Sequence, residues 1–307
     1  MPKRLSLSLI FILSTLFNHA AFALDATGHM IIAQIAYNNL TPVAKKDVNT
    51  LINNTSFAAD FPTFTPYVYS APWPDYANYK LQAPTGEAKG IFGLLRLEVQ
   101  AWHFIDDPIV EDHVTPAPIS PNNAVWAIHY LIPELTQLMK EKNYDSAAYA
   151  LIFLTHIIGD LHQPLHAADL FDAQFPNGDH GGNDYKIKLT YGANELHALW
   201  DKSLGRFQDW KRYGYRPTPQ KLVATAYALQ GLCRSVNNLD PASWEKESYT
   251  IAHDFVYPIK NLDAPKPGQA PSDMYIVKGR EIAAQQMCLA GKRLAAVLNK
   301  VLVVPIA

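Results

Sequence analysis

Two cysteines in 307 residues are too few for a disulfide-stapled scaffold or for a zinc site built from four thiolates. An excess of charge of one sign is missing as well. The 26 Lys+Arg face 28 Asp+Glu, a formal net charge of −2, which excludes a protein that grips nucleic acid mainly through a basic surface. Any polyanion it meets has to find positive charge elsewhere. Beyond residue 23 no apolar run approaches the roughly 20 residues of a membrane-spanning helix, because Asn299 and Lys300 interrupt the last candidate. Repeats and low-complexity linkers are also lacking. What is present is an ordinary globular composition, 49% hydrophobic and 18% charged, long enough to bury a real core.

The first 23 residues read separately from the rest. Lys3 and Arg4 form a basic start, residues 5–17 are apolar, and Ala21-Phe22-Ala23 fits a small-residue cleavage site. This is the plan of a secretory signal peptide, too short to serve as a membrane anchor. The expected mature chain is 24–307, exported to a periplasmic or extracellular space. Losing Lys3 and Arg4 takes its formal charge from −2 to −4. In an oxidising compartment Cys233 and Cys288 either pair or stay as two buried thiols, and their spacing does not decide between these.

Helical periodicity dominates the mature chain, at 28–40, 87–105, 122–139, 146–161, 222–237, 275–290 and 291–301. Strand signals are few, the best being 185–189 followed by the turn-like Tyr191-Gly192-Ala193-Asn194. Many of the 22 prolines gather in loops at 61–84, 108–121 and 257–271. The expected architecture is mainly α, a single multi-helix domain with one small β-hairpin.

The 11 histidines carry the chemistry. His156 and Asp160 stand at i and i+4, stacked on one helix face, and His197 with Asp201 repeats that spacing. His166 follows Pro164, whose missing N–H should end or kink the helix; on a straight helix His166 would point away from the His156/Asp160 pair. The neighbours of both pairs are apolar, and a buried carboxylate needs a cation or several hydrogen bonds to stay ionised. Where cysteine is scarce, His with Asp is the usual zinc donor set. His29, Asp75 and His103 lie in similar apolar settings. Eight ligand candidates exceed what one tetrahedral ion needs. His113, His129, His162, His180 and His253 lack that context and read as ordinary polar or core residues, with His162 and His180 possible neighbours of the ligands.

Taken in order, Gly28-His29, Trp73-Pro74-Asp75, His103-Phe104-Ile105-Asp106, the block from His156 to His166, Gly178-Asp-His-Gly-Gly-Asn183 and Leu196-His197-Ala-Leu-Trp-Asp201 resemble the S1/P1 nuclease family, within the phospholipase C/P1 nuclease fold. The likeness runs on to Ala290-Gly-Lys-Arg-Leu294 and so spans the mature chain. It implies three zinc ions per chain. One would be held by Asp75, His103, His156 and Asp160. A second, close by, would share Asp160 and take His29 with the amine and carbonyl of Leu24. A third would be held by His166, His197 and Asp201. It further implies hydrolysis of single-stranded DNA or RNA, and of 3′-nucleotides, at the P–O3′ bond. By the same likeness a hydroxide between the two close ions would attack, with Asp75 and Asp160 as the catalytic carboxylates, and the third ion would steady the leaving oxygen. Three Zn²⁺ against three aspartates leave a local charge of about +3, which replaces a basic patch. Phe104 would stack on a base, with Asp106 and Asn183 hydrogen-bonding its edge. The family's mature chains begin with Trp where this one has Leu24, and carry a basic residue where this one has Asn78. The alternative is a zinc phospholipase C, which shares fold and cluster but typically has Glu at the Asp201 position and lacks the His-Phe-x-Asp pocket. The likeness implies no stable protein partner and no membrane anchor.

Overall fold

In a computed structural model of the chain, the described residues are 24–80, 99–208, 216–234, 236–303 and 306, with side chains of 78–80 excepted. The proposed signal peptide, residues 87–98 of the helix expected over 87–105, and the Asn78 side chain therefore lie outside the described residues; the remainder of that helix gives way to a 3₁₀ turn at Ala101–His103 and extended backbone at Phe104.

Helix α1 (Ala26–Asn38) starts where the Asp25 carboxylate accepts from the Thr27 and Gly28 amides at 3.0 and 3.1 Å. It is buried on every face from Gly28 to Ala36, as its near-continuous apolar sequence requires. Helices α2 (Pro42–Asn53), α3 (Ser56–Asp60), α4 (Tyr67–Ser70) and α5 (Trp73–Lys80) follow, of which α4 packs on it. Helix α6 (Ala124–Glu141) is amphipathic and packs along α7 (Tyr144–Asp160), which is enclosed from Ser146 onward. Short α8 (Leu196–Asp201), α9 (Pro219–Leu229) and α10 (Pro241–Ile251) follow. The chain closes on α11 (Asp273–Val301), which crosses α1.

Two short sheets join the helices. Strand β1 (Pro108–Val110) pairs in parallel with β2 (Asp169–Phe171), while β3 (Lys186–Thr190) and β4 (Ala193–Glu195) form the expected hairpin. The parallel pair was not foreseen, since three-residue strands leave no alternation to read. The two periodic segments at 275–290 and 291–301 prove to be one helix. The helix expected over 222–237 stops at Leu229, eight residues early.

The apolar interior has two parts. One gathers around α1, α2, α6, α7 and the end of α11, and the other around β2, β3, α8 and the start of α11. Residues 161–168 pass from the first to the second, with Leu161 and Ala167 in one and Leu165 and Ala168 in the other. The ligand candidates sit at this seam. Cys233 and Cys288 form a disulfide across 55 residues, tying the segment after α9 to α11.

Candidate metal centre

Burial of α7 leaves His156 and Asp160 no solvent to turn to. His156 Nε2 lies 3.1 Å from Asp160 Oδ2, and both side chains are fully enclosed. His29 comes from α1, with Nε2 3.2 Å from Asp160 Oδ1 and its ring stacked on that of His156 at 3.8 Å. Asp75, in the first turn of α5, brings Oδ1 to 3.3 Å from His156 Nε2 and 3.6 Å from His103 Nδ1. His103 Nδ1 in turn lies 3.0 Å from Asp160 Oδ2. Asp160 thus presents one oxygen to His29 and the other to His103 and His156.

The predicted break after Asp160 is present and has the predicted effect. Helix α7 ends there, the Gln163 amide caps the Asp160 carbonyl at 2.8 Å, and Pro164–His166 form a 3₁₀ turn. That turn directs His166 toward Asp201, with 3.5 Å between Nε2 and Oδ1, while His197 Nε2 lies 3.3 Å from Asp201 Oδ2. Each of these three ligands is held from behind. His166 Nδ1 donates to the His103 carbonyl at 2.7 Å and His197 Nδ1 to the Gly181 carbonyl at 2.6 Å. Gln163 Nε2 donates to Asp201 Oδ1 at 2.8 Å, while Gln163 Oε1 accepts from the Leu165 amide at 2.6 Å. Gly181 has to be glycine: its φ is +61°, and a Cβ there would meet the Leu165 carbonyl oxygen at 2.5 Å. Sequence reasoning missed Gln163, since a glutamine between two ligands has no spacing that marks it.

Charge and burial pull against each other here. Burial opposes a proton on His156, but the Asp160 and Asp75 carboxylates outweigh it and push the imidazole up to about 10. Burial likewise disfavours the charged form of His166, yet Asp160 and Asp201 raise it to about 9. Asp160 resists the upward push of its own burial, because His156, His166 and His29 hold it well below the usual carboxylate range. His29 goes the other way, lowered by burial and then by the charge on His156. The pocket favours cations strongly and has only imidazoles to supply them.

A metal test follows from the polar atoms left over. Both ring nitrogens of His29, Asp160 Oδ1, His166 Nε2 and Asp201 Oδ2 are buried without a hydrogen-bond partner, a cost of about 1–3 kcal/mol each if nothing else bound them. Donor atoms gather in three groups: His29 with His156 and Asp160, Asp75 with His103 and His156, and His166 with His197 and Asp201. Within each group the ligand atoms lie within 4.8 Å of one another. Ligands at about 2.1 Å from a tetrahedral zinc stand about 3.4 Å apart, close to the separations found here. All donors are imidazole nitrogen or carboxylate oxygen, which suits zinc. The residues fit the group.

Leu24 is buried against this centre. Its side chain folds over Gly28, where a Cβ would come within 2.6 Å of Leu24 Cγ. The next amide, of Asp25, donates to the Asp201 carbonyl at 3.0 Å. Phe104, half-buried after His103, accepts at its carbonyl from the Ala124 amide at 2.9 Å. Asp106 is pushed up to about 6, by burial first and then by Asp169, against the pull of His180 and His166. Asn183 Nδ2 donates to the His180 carbonyl at 2.7 Å. Phe104 and Asp106 come from one loop and Asn183 from another.

His162 is fully buried. Its Nδ1 donates to the Ile158 carbonyl at 2.7 Å, and Arg293 donates to its Nε2 at 2.8 Å. Burial and then the Arg293 charge lower it to about 3. It is a neutral strut behind the ligands. Arg293 itself is paired with Glu247 at 2.7 Å.

Comparison with known proteins agrees with this geometry. Residues 25–303 match the S1/P1 Nuclease family. The chain is 29% identical to Endonuclease 4 of Arabidopsis thaliana over 162 residues, half of each protein. It is 27% identical to Endonuclease 3 of the same plant over 222 residues, 66% of this chain and 69% of that one. Nuclease S1 of Aspergillus oryzae (strain ATCC 42149 / RIB 40) matches at 36% over 67 residues, 22% of this chain and 21% of that one. The chain spans about half the length of several of the curated relatives it matches.

Proposed function

This chain belongs to the S1/P1 nuclease family, and from that premise we propose that it is a zinc-dependent phosphodiesterase. Its substrates are single-stranded DNA and RNA, and 3′-nucleotides, cut at the P–O3′ bond to leave 5′-phosphates. The observation that carries the reading is the double use of Asp160, whose Oδ1 faces His29 and whose Oδ2 faces His103 and His156.

Asp75, His103, His156 and Asp160 would hold one zinc, His29 and Asp160 with the amine and carbonyl of Leu24 a second, and His166, His197 and Asp201 a third. Bound there, zinc supplies Lewis acidity, lowering the pKa of water to about 7 and offsetting phosphate charge. The chain's own residues do the positioning. His156, His166 and His197 each commit Nδ1 to a backbone carbonyl, of Ala71, His103 and Gly181, and so turn Nε2 inward. The Asp75 side chain is 23% exposed while Asp160 is enclosed, so a phosphodiester enters on the Asp75 side. Phe104 stacks on a base, and Asp106 and Asn183 hydrogen-bond its edge. An unpaired base reaches such a site without the cost of unpairing, which favours single strands.

Residues 1–23 are removed on export in this reading. The Cys233–Cys288 disulfide supports an oxidising destination, and no helix among the described residues is long and apolar enough to cross a membrane.

One zinc-loaded preparation, assayed on single-stranded DNA, RNA, 3′-nucleotides and phosphatidylcholine vesicles, tests the proposal. Cleavage of the nucleic acids to 5′-phosphates with about three zinc per chain is expected. Hydrolysis of the lipid alone would replace the reading with a phospholipase C.

A further inference from the structure

Phe104 stands one residue after the ligand His103. A second aromatic side chain stands one residue after the ligand Asp75. Tyr76 is 42% exposed, and its ring lies 5.2 Å from that of Phe64, at 50°. Phe64 ends the 3₁₀ turn Pro62–Phe64 and is anchored on the main core, so the pair has a fixed base and an open face.

A cation reaches the backbone around Phe64 from far along the chain. Arg216 lies over the Tyr69 ring at 3.5 Å. It donates to the carbonyls of Thr63 at 3.0 Å and Thr65 at 2.5 Å, on either side of Phe64. Those acceptors are neutral, and among the described residues no carboxylate lies within 4.0 Å of it. An exposed guanidinium in a chain of net charge −2 is therefore held on the backbone either side of Phe64, whose ring backs the open face of Tyr76 beside a ligand of the metal centre. A planar π face and a guanidinium are the two groups that bind a nucleotide without reading its sequence.

We propose that Tyr76, with Phe64 behind it and Arg216 beside it, is a subsite for a nucleotide neighbouring the one at the metal centre. The aromatic face takes its unpaired base and the guanidinium takes a phosphate of the strand. The inference rests on the nuclease reading above. It makes strand length matter: a dinucleotide or longer strand reaches the subsite and a 3′-mononucleotide does not.

The test compares the zinc-loaded protein with Tyr76→Ala, Tyr76→Phe, Arg216→Gln and Arg216→Lys. Two measurements are made: KM for a 3′-mononucleotide and for strands of two to twelve nucleotides, and anisotropy of a labelled dT12 with hydrolysis-resistant phosphorothioate linkages. Tyr76→Ala is expected to raise KM for the dodecamer about tenfold, the size of one lost base stack. The effect should vanish for a 3′-mononucleotide, and Tyr76→Phe should bring the dodecamer KM back to that of the unsubstituted protein. Arg216→Gln should flatten the dependence of log Kd on log salt by about 0.7, the value of one phosphate contact on a single strand. Arg216→Lys should keep that slope. Effects equal at every length, or a salt slope unmoved by Arg216→Gln, overturn the subsite. Absence of cleavage by the unsubstituted protein, with a salt slope that still responds to Arg216→Gln, would sink the nuclease reading and leave the subsite standing.

Discussion

The two halves of the metal centre are held in different ways. Around Asp201 every ligand is braced by neutral groups of the chain: the His103 and Gly181 carbonyls and the Gln163 amide. Around Asp160 the ligands mainly face one another. His156 leans on the Ala71 carbonyl at 2.8 Å, but the His29 nitrogens find no hydrogen bond, and Asp160 is approached by three imidazoles. The first half is preorganised by backbone, the second by mutual charge. Removing a ligand should therefore do collective damage in the second half and local damage in the first.

The sharpest test of that contrast is Asp160→Ala. One carboxylate serves two groups, so its loss should release more than one zinc per chain and lower activity by about 10³-fold or more. Elemental analysis showing the loss of a single equivalent would break the claim that Asp160 is shared. Next in size is the N-terminus. Leu24 is buried beside Gly28, and the Asp25 amide is fixed to the Asp201 carbonyl. If the freed amine is a ligand, a chain carrying one extra residue before Leu24 should lose activity by more than about tenfold. Full activity in such a chain would remove Leu24 from the ligand set.

The braced half is tested by Gln163→Leu, which keeps bulk but leaves Asp201 Oδ1 without its amide donor. Metal affinity at the His166/His197/Asp201 group should fall by about 10- to 100-fold, while the other two groups keep their zinc through a chelator titration. Equal loss from all three would show that the halves are not independent.

Much of this was legible in the sequence, for physical reasons that differ by residue. Two His-x-x-x-Asp pairs among apolar neighbours required a shared face and an inward direction, and Pro164 required the break that turns His166 back. What stayed hidden depends on chain segments meeting from afar. Gln163 acts by bonding Asp201, 38 residues away, and Arg293 bonds His162 across 131 residues. No local pattern encodes either contact. The pairing of β1 with β2 was invisible for the same reason, and the Cys233–Cys288 bond could not be decided because sequence gives no distance between the two thiols.

That disulfide supplies the control for the comparison, because it lies outside both halves. Closing a loop of 55 residues restricts the unfolded chain by about 4 kcal/mol in the chain-entropy account. Replacing both cysteines by serine should therefore lower the denaturation midpoint clearly. The folded protein gains no contact with the ligands from this bond, whose α11 partner Cys288 is buried in the helix. Zinc content and KM below the new midpoint should accordingly stay as they were. A double variant that loses zinc while still folded would mean that α11, which packs on α1, holds His29 in place. The mutual-charge half would then depend on a covalent brace as well, and the contrast drawn between the halves would narrow.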